Sequence, residues 1–400
     1  MEHFITEIKI DGLRHLSNIT ISLNQEQRQH LILTGKNGSG KTTLLLALQS
    51  NLSALNDGNL SHFLSLEKEI KDAKTPEEKE MAQFNYNNGI YLIEHYKSNI
   101  TIQLLNFKDI DDIFKHGNFI TAFFPANRYT DIAPSHGVTD IKLKTYYAIH
   151  EKPGTLLQQY MVHLKTQQSY ARNEGDIENA DRIQQWFNRF MDALRILLDD
   201  DSITLEYDYK NYNFLIHETG KLPFGFNELS DGYSSVIHIV SDLILRMDKN
   251  WLLGDKLSQY DVEGIVLIDE LETHLHIELQ KKILPFLTAF FPRIQFIVTT
   301  HSPYILNSVS NAKAYDLERC VELENLSSYS SDGLAEGYFG ADEYADELKE
   351  KMIRYQFLKE KTDPSEEERA ERAKLRLELK YIPKELAIDT SHIFANEADL

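Results

Sequence analysis

The chain opens on alternation. In FITEIKI (4–10) and ITISLN (19–24) apolar side chains recur at every second position, which predicts two half-buried strands joined by DGLRHLSN. HLILTG (30–35) is a near-continuous apolar run that ends in glycine, the pattern of a strand covered on both faces. KTTLLLALQSNLSAL (41–55) reads as the helix behind it. GIVLIDE (264–270) and IQFIVTTHSP (294–303) repeat the buried-strand pattern, and LHIELQKKILPFLTAFF (275–291) between them reads as the crossover helix of a parallel pair.

Between these outer parts the pattern is mixed. GIYLIEHY (89–96), ITIQLLNF (100–107) and FITAFFPA (119–126) are strand-like. Residues 56–82 are densely charged and predict an exposed helix or loop inserted into the core domain. Residues 155–198 predict helix: Ile183, Trp186, Phe187, Phe190, Met191 and Leu194 form one apolar stripe at three-four spacing. The polar stretch KTQQSYARNEGDIENAD (165–181) is expected to separate two helices there. SITLEYDYKNYNFLIHET (202–219) alternates like a hairpin. The organisation expected is a head domain over 1–340, with a charged insertion at 56–82 and a helical and hairpin lid insertion at 140–225. A helical, charged region follows at 341–400, where EEERAERAKLRLELK is a solvated face. No internal repeat appears, and no heptad pattern runs far enough for an extended coiled coil.

Composition bounds the class. The 400 residues suffice for a large hydrophobic core. The longest candidate for a membrane span, LPFLTAFF (284–291), is too short, and MEHFITEIKI reads as a first strand and not a signal peptide. The single cysteine, Cys320, excludes an internal disulfide framework and fits a reducing cytoplasm. A formal charge of −20 means that the whole-chain field repels DNA. Contact with nucleic acid therefore calls for a local basic patch or a basic partner.

The chemistry sits in four motifs. LTGKNGSGKTT (33–43) holds Gly35-x-x-x-x-Gly40-Lys41-Thr42 between a strand and a helix. Backbone amides of Gly35, Lys36, Asn37, Gly38, Ser39 and Gly40, with those of Thr42 and Thr43, form a phosphate cradle at a helix N-terminus. Lys41 reaches the β- and γ-phosphates, and the Thr42 hydroxyl is a Mg²⁺ ligand. VLIDE ends in Asp269, placed beside that metal ion, and Glu270, placed to orient or deprotonate water. His301 closes the next strand, where its imidazole can meet a γ-phosphate. NELSDGYSSVIHIVSDLIL (227–245) puts Ser230 and Gly232 at a helix mouth, a second anion site. One nucleotide does not need both sites in one chain, but a head-to-tail pair of chains does. A bare N-cap serine is the plainer reading of Ser230.

This order of cradle, Leu229-Ser230-x-Gly232, Asp-Glu and histidine resembles an ABC-type ATPase head. The fold this implies is an α/β P-loop NTPase with a mixed sheet core, an inserted helical subdomain and a helical tail. ITEIKIDGLRHLSNITISLN and LIDELETHLHIELQ further resemble the RecF/SMC-like, OLD-like branch found in prokaryotic defence, Septu-type ATPases among them. The resemblance covers roughly 1–50 and 225–310. It implies ATP and Mg²⁺ as cofactors and a nucleotide contact from Arg14. Glu272, His274 and His276 fall in the loop where chains of this type meet. FFPANR makes Arg128 a candidate contact to the γ-phosphate or to the partner chain. Leu271 and Ile277 stand where the family pattern has proline, and no glutamine matches the family's Q-loop. A transition-metal site at Glu272, His274 and His276 is the weaker reading of that loop.

The function expected from the resemblance is a cytoplasmic ATPase that forms a homodimer or a higher homo-oligomer around ATP. It would regulate or scaffold a separate effector, such as a nuclease, in antiphage defence, with DNA met mainly through that partner and no membrane involved. No nuclease motif follows residue 305. The alternatives are a repair ATPase acting directly on DNA, a transporter subunit, and a scaffold that binds ATP but barely hydrolyses it.

Overall fold

The two alternating runs at the N-terminus pair with each other. In the computed structural model β1 (Ile5–Ile10) lies antiparallel between β2 (Ile19–Ser22) and β4 (Ile100–Leu104). The structure describes residues 2–93, 99–128, 132–253, 262–323, 346–361 and 364–380, with isolated positions between 326 and 338. The chain divides into two compact units, Met1–Tyr329 and Ser330–Leu400.

The near-continuous apolar runs form the main sheet. β3 (His30–Thr34), β5 (Phe119–Phe124), β8 (Glu263–Ile268), β9 (Ile294–Thr299), β10 (Ala312–Asp316) and β11 (Val321–Leu323) align in the order β11-β10-β3-β9-β8-β5. All neighbours are parallel except β10 and β11. Every residue of β3, β8 and β9 is buried, as strands covered on both faces require. β9 follows β8 in the chain yet sits between β3 and β8. The C-terminal ends of β3, β9 and β8 therefore lie side by side, and everything attached to them is brought to one edge.

Helix α1 (Lys41–Asp57) joins the two sheets into one core. Its Leu44, Leu45, Leu48, Leu52 and Leu55 are buried with Ile8 and Ile10 of β1 and Leu31 and Leu33 of β3. Each such leucine contributes roughly 1.5–3 kcal/mol. A buried side-chain amide completes the junction: Gln295 accepts from the Ile5 N–H at 2.8 Å and donates to the Ile5 carbonyl at 2.9 Å.

Three expectations change here. The charged insertion is not simply exposed. Its helix α2 (Leu60–Asp72) buries Leu60, Phe63, Leu64 and Leu66 against the core. GIYLIEHY is not a strand over its described residues, because α3 (Pro76–Ile93) runs through Gly89–Ile93. The reason lies upstream: Thr75 and Glu78 form a reciprocal capping box, with Glu78 N–H to Thr75 Oγ1 at 3.1 Å and Thr75 N–H to Glu78 Oε2 at 3.0 Å. A helix so nucleated continues through a short β-prone run. The polar stretch 165–181 is mostly helical too, since α5 (Leu157–Asn173) and α6 (Ile177–Leu198) are separated by only residues 174–176.

The stripe on α6 faces inward as expected, with Trp186 fully buried and Met191 at its margin. The Trp186 indole donates to Asp248 Oδ1 at 3.1 Å, tying α6 to α7 (Asp231–Leu253). On α7, buried Arg246 pairs with Asp242 and donates to the carbonyls of Thr121, Ala148 and Glu151. The predicted hairpin is β6 (Thr204–Asp208) and β7 (Asn213–His217), with Leu205 opposite Ile216. α8 (Ile277–Phe290) is the crossover between β8 and β9. In the second unit, helices Asp346–Glu360 and Glu366–Lys380 pack through Tyr355, Leu358, Leu375 and Leu379, with Arg354 bidentate on Glu371.

Candidate active site

The cradle is built by three glycines with positive φ. Gly35, Gly38 and Gly40 have φ of 127°, 84° and 99°, a region that side chains with a Cβ rarely enter. Space adds to the requirement at two of them. A Cβ on Gly35 would lie 3.1 Å from Asp316 Oδ1, and one on Gly40 would lie 2.7 Å from Leu16 Cδ1. The outer limb of the loop is held by Glu318, which accepts from the Lys36 N–H at 3.3 Å and pairs with its Nζ at 2.9 Å. Asn37 and Gly38 are exposed, Thr43 is half-buried, and the loop runs straight into α1.

Lys41 is buried and folds back on the loop, donating to the carbonyls of Gly35 at 2.7 Å and Lys36 at 3.1 Å. Burial lowers its pKa, against the opposing pull of Glu270, Glu272, Asp269 and Asp316. These four carboxylates outnumber the nearby cations Lys41 and Arg128.

The Thr42 hydroxyl donates to Asp269 Oδ2 at 2.8 Å, so the two predicted metal ligands meet across the cleft between α1 and β8. Asp269 Oδ1 accepts from the Thr299 hydroxyl at 2.6 Å, and that hydroxyl accepts from the Glu270 N–H at 2.7 Å. Two ligand oxygens are too few for a closed shell, and among the described residues no cluster of three or more His, Cys, Asp or Glu is arranged to hold a metal ion. A Mg²⁺ here would draw on phosphate oxygens and water as well, as this ion does beside nucleotides.

Glu270 has φ of 46°, left-handed and unusual for a glutamate. Its carboxylate is half-buried and accepts from Thr273 Oγ1 at 3.3 Å. His301 lies between the cradle and the Asp-Glu pair because β9 does. Its backbone N–H donates to Glu272 Oε1. Burial and then Lys41 lower its pKa, against the opposing pull of Glu272, Glu270 and Asp269. The buried atoms His301 Nε2, Glu272 Oε2 and Ser39 Oγ have no protein partner. Buried polar atoms without a protein partner are suited to a polar ligand or water.

Ser230 is exposed and precedes α7; its carbonyl accepts from the Ser234 N–H at 2.8 Å. Gly232 touches the loop after Glu270, where a Cβ would lie 2.6 Å from the His274 carbonyl oxygen. The start of α7 and that loop thus pack against each other. His274 and His276 are exposed, whereas Glu272 turns inward toward His301. Arg14 is exposed at a tight turn closed by paired Leu13 and Leu16 backbone hydrogen bonds, and Leu16 is the residue packed on Gly40. The turn thus carries Arg14 beside the cradle.

Arg128 points to backbone. Only 4% of it is exposed, and it donates through Nη1 to the carbonyls of Pro125 and Asp269 and through Nη2 to those of Glu270 and Leu271. No terminal N–H is left to reach a phosphate or a second chain in this arrangement. Residues that sequence reasoning passed over are Thr299, Asp316 and Glu318. Only the first carried a signal, as part of the threonine pair before His301.

A family model described as an AAA domain matches residues 7–220, more than half of the chain. The chain belongs to this AAA domain family. A second AAA domain model, described with a type IV toxin–antitoxin system, matches residues 146–307 of this AAA-domain chain. Among curated proteins it is 26% identical to a Septu protein PtuA of Bacillus mycoides, over 92% of this chain and 49% of that protein. It is 24% identical to a Septu protein PtuA of Bacillus thuringiensis, over 76% of this chain and 74% of that one. A Vibrio cholerae protein named Retron Vc95 probable ATPase is 32% identical over 51% of this chain and 36% of its own length. The chain thus spans about half the length of the first of these relatives. No helix among the described residues is long and apolar enough to cross a membrane.

Proposed function

We propose that this chain is a Mg²⁺-dependent ATPase that closes head-to-tail on a second copy of itself around ATP. The observation that carries this reading is the convergence of Lys41, Thr42, Asp269, Glu270 and His301 at the ends of three adjacent strands. The cradle amides and Lys41 take the phosphates. Magnesium, when bound between Thr42 and Asp269, would draw negative charge from the phosphate oxygens. Glu270 orients the attacking water and accepts its proton, while His301 hydrogen-bonds the γ-phosphate through Nε2. Arg14 contacts the nucleotide from the turn above Gly40.

Ser230 and Gly232 lie at a helix mouth with no nucleotide of their own to serve. Their role in this reading is to meet the γ-phosphate held by the partner copy. The names of the relatives support a further step, in which the pair acts in a cytoplasmic defence system and controls a separate effector such as a nuclease. The charge of −20 favours a basic effector, through which DNA is met.

Phosphate release from ATP by the purified chain tests the enzymatic part. Lys41→Ala should abolish it by loss of binding, and Glu270→Gln should slow it by roughly 10²–10⁴-fold with binding intact. Release at the wild-type rate in both variants would place hydrolysis elsewhere.

A further inference from the structure

Glu270 holds an uncommon backbone conformation at the point where the proposed chemistry needs accuracy. Left-handed φ in a residue with a branched-off carboxylate side chain is maintained only where surroundings enforce it. Here the enforcement is visible. Arg128 spans the carbonyls of three successive residues, Asp269, Glu270 and Leu271, at 2.7, 3.0 and 2.9 Å. From the other side, the Thr299 hydroxyl accepts from the Glu270 N–H and the Thr299 carbonyl accepts from the Leu271 N–H at 3.0 Å. The Arg128 guanidinium faces inward to backbone rather than outward to solvent, and burial brings its pKa down to about 10, still cationic at neutral pH.

Four residues after Arg128, Ile132 is held in both directions by Asn227: its N–H donates to Asn227 Oδ1 at 3.3 Å, and Asn227 Nδ2 donates to its carbonyl at 3.0 Å. Asn227 lies three residues before Ser230. Ile132 is therefore fastened to the approach of α7.

We propose that Arg128 is a positioning residue: by gripping the 269–271 carbonyls it sets the direction of the Glu270 carboxylate, and it does not contact the nucleotide. This rests on Glu270 serving as the group that activates water. A planar guanidinium suits the task because its two terminal nitrogens present four N–H donors in fixed directions, whereas an ammonium presents three on a flexible stem.

The test is a double-mutant cycle of Arg128→Ala and Glu270→Gln, reading ATP affinity and single-turnover hydrolysis separately. Misplacing the reacting group by about 1 Å lowers rates on the order of 10²-fold. Arg128→Ala should therefore lower kcat by about that factor while ATP affinity stays within about threefold of wild type. In the Glu270→Gln background the same change should add almost nothing, because Arg128 acts through the carboxylate that has been removed. Arg128→Lys, which retains charge and bulk, should lose most of the rate as well and covers the case in which the alanine variant fails to fold. A loss of ATP affinity in either variant would restore the phosphate contact and overturn the proposal. So would rate losses that multiply across the cycle. If wild-type protein shows no hydrolysis while binding ATP, the reading of Glu270 fails first, and the two failures are thereby told apart.

Discussion

Gly232 lies against the backbone of His274 so closely that a single added methyl carbon would sit 2.6 Å from the carbonyl oxygen. Backbone cannot yield as a side chain does, so Gly232→Ala must push the signature helix and the 272–275 loop apart. The expected result is a loss of ATP-driven pairing and of turnover, with ATP affinity of the single chain unchanged. Analytical ultracentrifugation with nucleotide, alongside a binding titration, checks it. Normal pairing by the alanine variant would detach Gly232 from the pairing surface.

Thr299 joins the Asp269 carboxylate to the backbone of Glu270 through one hydroxyl. Thr299→Val keeps the shape and removes both hydrogen bonds, stripping Asp269 Oδ1 of its donor. Loss of such a supporting contact commonly lowers metal affinity by about 10–100-fold. The Mg²⁺ concentration giving half-maximal hydrolysis should rise by that order. An unchanged Mg²⁺ dependence would mean that Asp269 is held without Thr299.

Asp248 predicts a pH dependence of stability. Its carboxyl is fully buried beneath Trp186, and burial pushes its pKa up to about 7. An unfolded aspartate titrates at about 4. Between those values the folded state holds a proton that the unfolded state has released. The contribution of Asp248 is therefore complete below about pH 4 and is lost as pH rises through about 7. Asp248→Asn keeps an acceptor for the indole and does not titrate. Melting temperatures of the two proteins should coincide near the acid end and diverge by pH 8, with the asparagine variant the higher. A difference that does not grow with pH would contradict a raised carboxyl there.

Glu270→Gln should slow single-turnover hydrolysis by roughly 10²–10⁴-fold, the usual effect of removing a general base. Its affinity for ATP should hold, since the cradle and Lys41 remain. Quench-flow with labelled ATP reads the rate. Wild-type turnover would remove Glu270 from the role.

How much of this was legible follows from where each contact partner lies in the chain. Gly35 to Thr43 form one contiguous glycine-rich stretch, and Asp269 with Glu270 terminates an apolar run, so local pattern carried both. The ordering of β9 between β3 and β8 is invisible in local pattern, and with it the position of Thr299 beside Asp269. Glu318 reaches Lys36 only because β10 joins the far side of β3, a pairing separated by more than 280 residues. Arg128 was recognisable as an arginine near the site. Its targets are backbone carbonyls 141 to 143 residues away, and carbonyls leave no mark on a sequence. The continuation of α3 through GIYLI was written in Thr75 and Glu78, a capping box outweighed by the β-prone residues that follow it.

The most direct measurement is the molar mass of the Glu270→Gln protein by light scattering, with and without Mg²⁺-ATP, beside the Glu270→Gln Ser230→Arg double variant. The account predicts that ATP doubles the mass of the association unit in the first and not in the second, with ATP still bound by both. Equal masses with and without ATP in the first, or doubling in both, would contradict a pair closed by Ser230 over the partner's nucleotide.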